Sequence, residues 1–185
     1  MINCPDCYSK MERKLLDKRV PAYVCSSCEG TWISSSEYAD WLENQAGKIT
    51  IEPKLSEETP LPAVAKRKPL ICPDCGRILK RYKIWPDVEF YIDRCGGCNG
   101  VWFDRDEWAV LTENDLTRQL YRFFTDEWQN QLKNEEMVSR LRTMYSERFG
   151  KSDYEKLRET KAWLENNSNR DQLLAYLMDK DPYKS

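Results

Sequence analysis

The chemistry this sequence offers is that of sulfur. Its 185 residues include eight cysteines and no histidine, and the cysteines form four C-x-x-C pairs: Cys4 with Cys7, Cys25 with Cys28, Cys72 with Cys75, and Cys95 with Cys98. A C-x-x-C pair in a tight turn presents two thiolates on one side. Two such turns complete the tetrahedron that zinc takes, about 2.3 Å from each sulfur. Seventeen residues separate the first two pairs and nineteen the last two. With no histidine available, thiolate is the whole donor set, and it suits zinc. The expectation is two zinc ions, one on Cys4, Cys7, Cys25 and Cys28, the other on Cys72, Cys75, Cys95 and Cys98. A disulfide framework would need an oxidising compartment that nothing in the sequence supports. Cys-Pro-Asp-Cys occurs twice and shares the form of a redox pair, but that motif belongs in a βαβ setting, and here each pair is matched to a second.

Four thiolates close the coordination shell and leave no position at which zinc could activate water. The missing histidines also remove the commonest general acid–base. No nucleotide-binding glycine loop, nucleophile elbow or metalloprotease motif is present. We therefore expect structural zinc, no catalytic residues and no enzyme.

The elements that must hold these thiolates are duplicated. Cys25-Ser-Ser-Cys28-Glu29-Gly30-Thr31-Trp32-Ile33 is followed by Ser34 to Tyr38, and Cys95-Gly-Gly-Cys98-Asn99-Gly100-Val101-Trp102-Phe103 by Asp104 to Trp108. Gly, Trp, Glu and the closing aromatic keep step over 70 residues, which marks an internal repeat. Between the pairs lie hairpins. The second runs from Arg77 to Trp85, turns at Pro86-Asp87 and returns from Val88 to Arg94; the first joins Met11–Leu16 to Ala22–Val24. Gly30 and Gly100 are expected to take backbone angles open to few other residues. Ser34 and Asp104 read as helix N-caps, with Glu37 and Glu107 three residues on. Trp32 and Trp102 are expected to pack over the zinc knuckles as small-domain core.

The pattern C-P-x-C, hairpin, C-x-x-C-x-G-x-W-[IF]-x-x-x-E resembles the transcription factor IIB-type zinc-ribbon domain of prokaryotic proteins. Cys72-Pro-Asp-Cys75 with Cys95 to Glu107 is a close match; the first copy differs at Thr31, Ile33 and Ser34. The resemblance covers roughly residues 2–41 and 70–110. It implies four thiolate ligands and a structural zinc in each copy. Ribbons of this type can bind nucleic acid or dock on a polymerase, and the fold does not decide which.

The expected fold is small α+β: two Cys4 zinc ribbons, each a β-hairpin with a short helix, followed by an all-α C-terminal region. The expected boundaries are ribbon 1 at 1–46, a Pro-rich linker at 47–69, ribbon 2 at 70–112 and a helical region at 113–185. The linker carries Pro53, Pro60, Pro62 and Pro69 with an acidic Glu57-Glu58, and reads as an extended connector. Beyond Leu111, apolar residues recur every three or four positions from Leu116 to Phe149, imperfectly around Asn130 to Glu135, as one long helix or two. Gly150 is a stop, Asp153 a cap for a helix through Leu164, and Ser168 or Asn169 a cap for one through Leu177. This stripe is read as core in preference to an exposed groove.

A formal net charge of −2 excludes strong global attraction to nucleic acid or anionic membrane. No apolar run approaches the roughly 20 residues that span a bilayer, and the N-terminus enters a motif at once, so a cytoplasmic protein without a membrane span is expected. Local basic character exists: residues 66–98 carry eight basic and four acidic side chains. Lys66, Arg67, Lys68, Arg77, Lys80, Arg81, Tyr82 and Lys83 are the candidate nucleic-acid contacts, with Tyr82 as a stacking face on an exposed hairpin. Seven tryptophans and ten tyrosines favour instead a protein-docking role, since aromatics anchor interfaces. The favoured reading is a non-catalytic adaptor for a protein or nucleoprotein partner; oligomerisation through the C-terminal helices is left open.

Overall fold

The computed structural model describes residues 2–45, 61, 69–86, 88–180 and 183. Most of the expected linker, with Lys66, Arg67 and Lys68, lies outside the described residues, as does Asp87 of the expected second turn. In chain order the first ribbon is β1 (Met11–Leu15), a 3-10 turn over Asp17–Arg19, β2 (Pro21–Cys25), β3 (Thr31–Ile33) and α1 (Ser35–Glu43). The second repeats it as β4 (Leu79–Lys83), β5 (Tyr91–Cys95), β6 (Val101–Phe103) and α2 (Glu107–Glu113). A 3-10 turn at Thr117–Gln119 follows, then α3 (Leu120–Phe123), α4 (Asp126–Phe149), α5 (Lys151–Glu165) and α6 (Arg170–Met178). The α+β character and the helical C-terminal region are as the sequence led us to expect.

The two ribbons share one sheet. Its order is β1-β2-β3-β6-β5-β4, antiparallel throughout, and the join is β3 against β6, with Thr31 opposite Phe103, Trp32 opposite Trp102 and Ile33 opposite Val101. Equivalent residues of the two copies therefore meet at Trp32 and Trp102. Each third strand supplies the hydrogen-bonding edge that the other would otherwise expose to solvent.

Side chains alternate across the sheet and build two cores. On one face Ala22, Ile33, Tyr82, Ile92, Val101 and Phe103 cluster with Tyr38, Trp41, Trp108, Leu111, Leu116, Leu120, Phe123, Trp128 and Leu132. On the other Trp32 and Trp102 cluster with Cys4, Met11, Cys25, Cys72, Leu79 and Cys95. The chain forms two compact units, Met1–Glu135 and Glu136–Ser185. Residues 113–135 thus belong with the ribbons, because the helical turns from Leu116 to Leu132 complete the first core.

Some expected helix starts move. Ser34 caps α1 by accepting the Glu37 N–H, as expected. Asp104 does not cap α2. The chain turns through Arg105 and a left-handed Asp106 (φ 67°), and the helix starts at Glu107. Half of the capping exchange survives, for the Glu107 carboxylate accepts the Asp104 N–H at 2.8 Å. α4 is one continuous helix through Asn130 to Glu135. α5 starts at Lys151, directly after Gly150 (φ 83°), so Asp153 lies in its first turn.

Candidate metal centres

Every C-x-x-C builds the same knuckle. The N–H of its first cysteine donates to the carbonyl five residues on: Cys4 to Ser9, Cys25 to Gly30, Cys72 to Arg77 and Cys95 to Gly100, at 2.7–2.9 Å. The N–H four residues on donates back to the cysteine carbonyl, from Tyr8, Glu29, Gly76 and Asn99, at 3.0–3.1 Å. That return forces a left-handed residue, and all four have φ between 61° and 72°. Only Gly76 is the type that adopts it freely.

This corrects one expectation. Gly30 and Gly100 do not take left-handed angles; the residues before them do. They are glycines because a ring lies on them. A Cβ on Gly30 would stand 2.2 Å from Cζ2 of Trp102, and one on Gly100 would stand 2.2 Å from Cζ2 of Trp32. Each tryptophan lies across the glycine of the other ribbon, and both are fully buried. Trp32 also donates its indole N–H to Asp74 Oδ2, in the Cys-Pro-Asp-Cys turn of ribbon 2, at 3.0 Å. Trp102 donates to Asp104 Oδ1, also at 3.0 Å. The tryptophans pack on the knuckles as anticipated, and they do so across the ribbon boundary.

In each cluster the four sulfurs lie within 4.8 Å of one another. Cys4 to Cys28 and Cys72 to Cys98 are 3.5 Å apart, Cys7 to Cys25 is 3.4 Å and Cys75 to Cys95 is 3.3 Å. These separations are far beyond the roughly 2.05 Å of a disulfide, and near the roughly 3.8 Å edge of a tetrahedron whose metal–sulfur length is 2.3 Å. In each cluster one cysteine is exposed, one half-buried and two buried. Backbone N–H groups aim at sulfur, from Cys7 to Cys4 Sγ at 3.4 Å and from Gly97 to Cys95 Sγ at 3.3 Å, which favours the thiolate. The geometry and the soft donor set fit two structural zinc ions, each held by four thiolates.

Before metal enters, the thiols differ. Burial pushes Cys4 up to about 11 and raises Cys28, and it likewise raises Cys72 and Cys98. The hydroxyl and backbone of Ser9 draw Cys7 down to about 6. Burial works against Cys95, but the N–H groups of Cys98 and Gly97 and the Cys75 thiol outweigh it and bring the group to about 7. Each site therefore combines one thiol drawn towards the thiolate with two that burial holds towards the protonated form.

The described nucleic-acid candidates divide. Arg77 and Lys80 are exposed, at and beside β4, an edge strand of the sheet. Arg81 and Lys83 are half-buried and lie over the Tyr91 ring, 4.6 and 6.0 Å from its centroid. Tyr82 is not a free stacking face: it is 8% exposed and meets Phe124 edge-on at 5.0 Å. The sequence reading missed Asp74 as the acceptor for Trp32, and Tyr38 as a tie between ribbon 1 and the turn after ribbon 2. The Tyr38 hydroxyl donates to the Thr117 carbonyl at 2.9 Å and accepts the Leu120 N–H at 3.3 Å. The repeat did single out Tyr38, as the aromatic that closes it.

Among known families, the transcription factor zinc-finger family, the TFIIB-type zinc ribbon, matches residues 3–44 and again 71–113, each segment enclosing one four-cysteine cluster. The C-terminal helical region matches no family, and neither a curated protein nor a solved structure matches the chain. Among the described residues no helix is long and apolar enough to cross a membrane.

Proposed function

We propose that this chain, which carries two tandem TFIIB-type zinc ribbons each built around a structural zinc site, is a non-catalytic adaptor that docks on a protein or nucleoprotein partner. The observation that carries the reading is a contrast in exposed apolar surface. Among the described residues, Glu136–Ser185 expose twelve large hydrophobic side chains, from Met137 to Tyr183, and bury one, Leu164. The larger unit, Met1–Glu135, exposes six. Exposed apolar side chains in this number favour an interaction surface. The zinc sites favour the same reading, since centres closed by four thiolates offer no open coordination position.

A second reading rests on the β4 edge, where Arg77 and Lys80 are exposed and could meet phosphate. The two separate experimentally. Affinity purification of the chain from its native host, before and after nuclease treatment, is paired with binding to mixed DNA and RNA at low and high salt. An adaptor keeps its protein partners through nuclease treatment and shows little affinity for nucleic acid at low salt. Binding that falls steeply with salt, and that Arg77→Glu with Lys80→Glu abolishes, would replace the adaptor with a nucleic-acid-binding, transcription-associated protein.

A further inference from the structure

The smaller unit contains an open cleft between α5 and the C-terminal half of α4. Its volume is about 530 Å³, within the range of sites that hold a ligand. Val138, Leu141 and Tyr145 line one wall and Leu157 the other, all of them exposed large hydrophobics. Tyr145 stacks with Phe149 and with Tyr154, at ring separations of 5.7 and 6.4 Å. The helices thus meet through aromatics near Gly150 and leave aliphatic side chains facing open space further out.

Three cations border the cleft: Arg142, Arg158 and Lys161. Lys161 has a carboxylate, Glu165, 3.9 Å away. Arg142 and Arg158 have no carboxylate partner among the described residues; Arg158 lies over the Tyr154 ring, 6.0 Å from its centroid. An apolar floor with unpaired guanidinium groups at its edge is complementary to an apolar stripe flanked by carboxylates. The occupant must also satisfy its own backbone, because these walls offer it no strand edge. A helix does so internally. A second copy bound symmetrically through the same cleft would bring these arginines towards their own counterparts, which disfavours it.

We propose that the α4–α5 cleft receives an acidic amphipathic helix of a partner protein, in the helix-in-groove manner. The proposal deepens the adaptor reading and rests on it.

The test uses the full zinc-loaded chain and two labelled synthetic helices of about 15 residues, roughly four turns. Both carry a leucine stripe; it is flanked by glutamates in one and by lysines in the other. Fluorescence anisotropy should show saturable binding of the acidic helix, at least about tenfold tighter than of the basic one. Leu141→Asp with Leu157→Asp should abolish it, and circular dichroism should show helicity retained, since both side chains are solvent-facing. Arg142→Glu with Arg158→Glu should reverse the preference, a result that misfolding cannot give. Equal affinity for the two helices, or binding untouched by all four substitutions, overturns the proposal. So does a concentration-dependent dimer that excludes the peptide, because the cleft would then be filled by a second copy. Protein partners recovered from the host but indifferent to these substitutions would leave the adaptor reading standing and sink the cleft.

Discussion

Gly100→Ala puts the interlock between the ribbons to a quantitative test. The new methyl would stand 2.2 Å from Cζ2 and 2.7 Å from Cη2 of Trp32, where carbon atoms rest at about 3.5–4.0 Å. The ring must withdraw by about 1.3 Å to restore that spacing. It is fully buried and tied by its N–H to Asp74 at 3.0 Å, and a retreat of that size leaves no hydrogen bond. Overpacking a core costs about 1–3 kcal/mol, and a buried donor left unpaired about 1–3 kcal/mol more. The expected loss is therefore about 2–6 kcal/mol, read as a lower midpoint in urea unfolding of the zinc-loaded chain followed by tryptophan fluorescence. Two neighbouring glycines are controls. A Cβ at Gly96 meets nothing within 4 Å, and the nearest atoms to one at Gly97, at 2.7 Å, belong to the flexible and exposed Arg77 side chain, which can move aside, so both alanine variants should fall within about 0.5 kcal/mol of the parent. In a Trp32→Leu background the added cost of Gly100→Ala should shrink, a coupling that a double-mutant cycle measures. If Gly100→Ala costs no more than Gly97→Ala, the packing argument is wrong.

Glu29→Gly, one residue before the other interlock glycine, should have the opposite sign. It relieves a left-handed φ of 62° and gives up only an exposed ion pair to Arg105 at 3.0 Å, so stability should hold or rise by up to about 1 kcal/mol; a loss above that refutes the strain. Tyr38→Phe strands the Thr117 carbonyl and the Leu120 N–H inside the core and should cost about 1–3 kcal/mol in the same urea assay. Zinc affinity should be steeply pH-dependent. The raised thiols, Cys4 and Cys28 in one site and Cys72 and Cys98 in the other, hold protons at neutral pH that zinc must displace. Affinity then rises with pH and falls at least about 100-fold per unit lowered from neutrality. Competition with a chromophoric chelator at two pH values one unit apart measures this, and a tenfold change or less would count against two displaced protons per site.

The parts that could be read from sequence are those encoded locally. Each knuckle is closed by hydrogen bonds within six residues, so four C-x-x-C pairs were enough to place both metal sites, and Ser34 with Glu37 was enough to place the start of α1. The pairing of β3 with β6 was not legible. Two three-residue strands 70 positions apart carry no periodic signal, and their partnership depends on tertiary packing. The reason for Gly30 and Gly100 was misread because sequence marks a glycine without saying whether angle or space demands it. The same limit hid the burial of Tyr82. Lys80, Arg81 and Lys83 advertise an exposed strand, yet the alternation of β4 turns Tyr82 inward to Phe124. The C-terminal stripe proved to be two things: core as far as Leu132, and outward-facing from Met137 onward.

The meeting of Trp32 with Trp102 carries one more consequence. Because equivalent residues of the repeat face each other there, the contact is self-complementary: a lone ribbon with an open third strand could close on a second copy of itself with its tryptophan in the same place. The architecture is thus that of a two-fold dimer written into a single polypeptide. Once both halves are translated together, assembly no longer depends on protein concentration, and the peptide between them need only keep the halves within reach of one another. Fusion also frees the copies to diverge. Ile71 and Ile78 flank one knuckle where Asn3 and Lys10 flank the other, a difference that a dimer of identical chains could never hold.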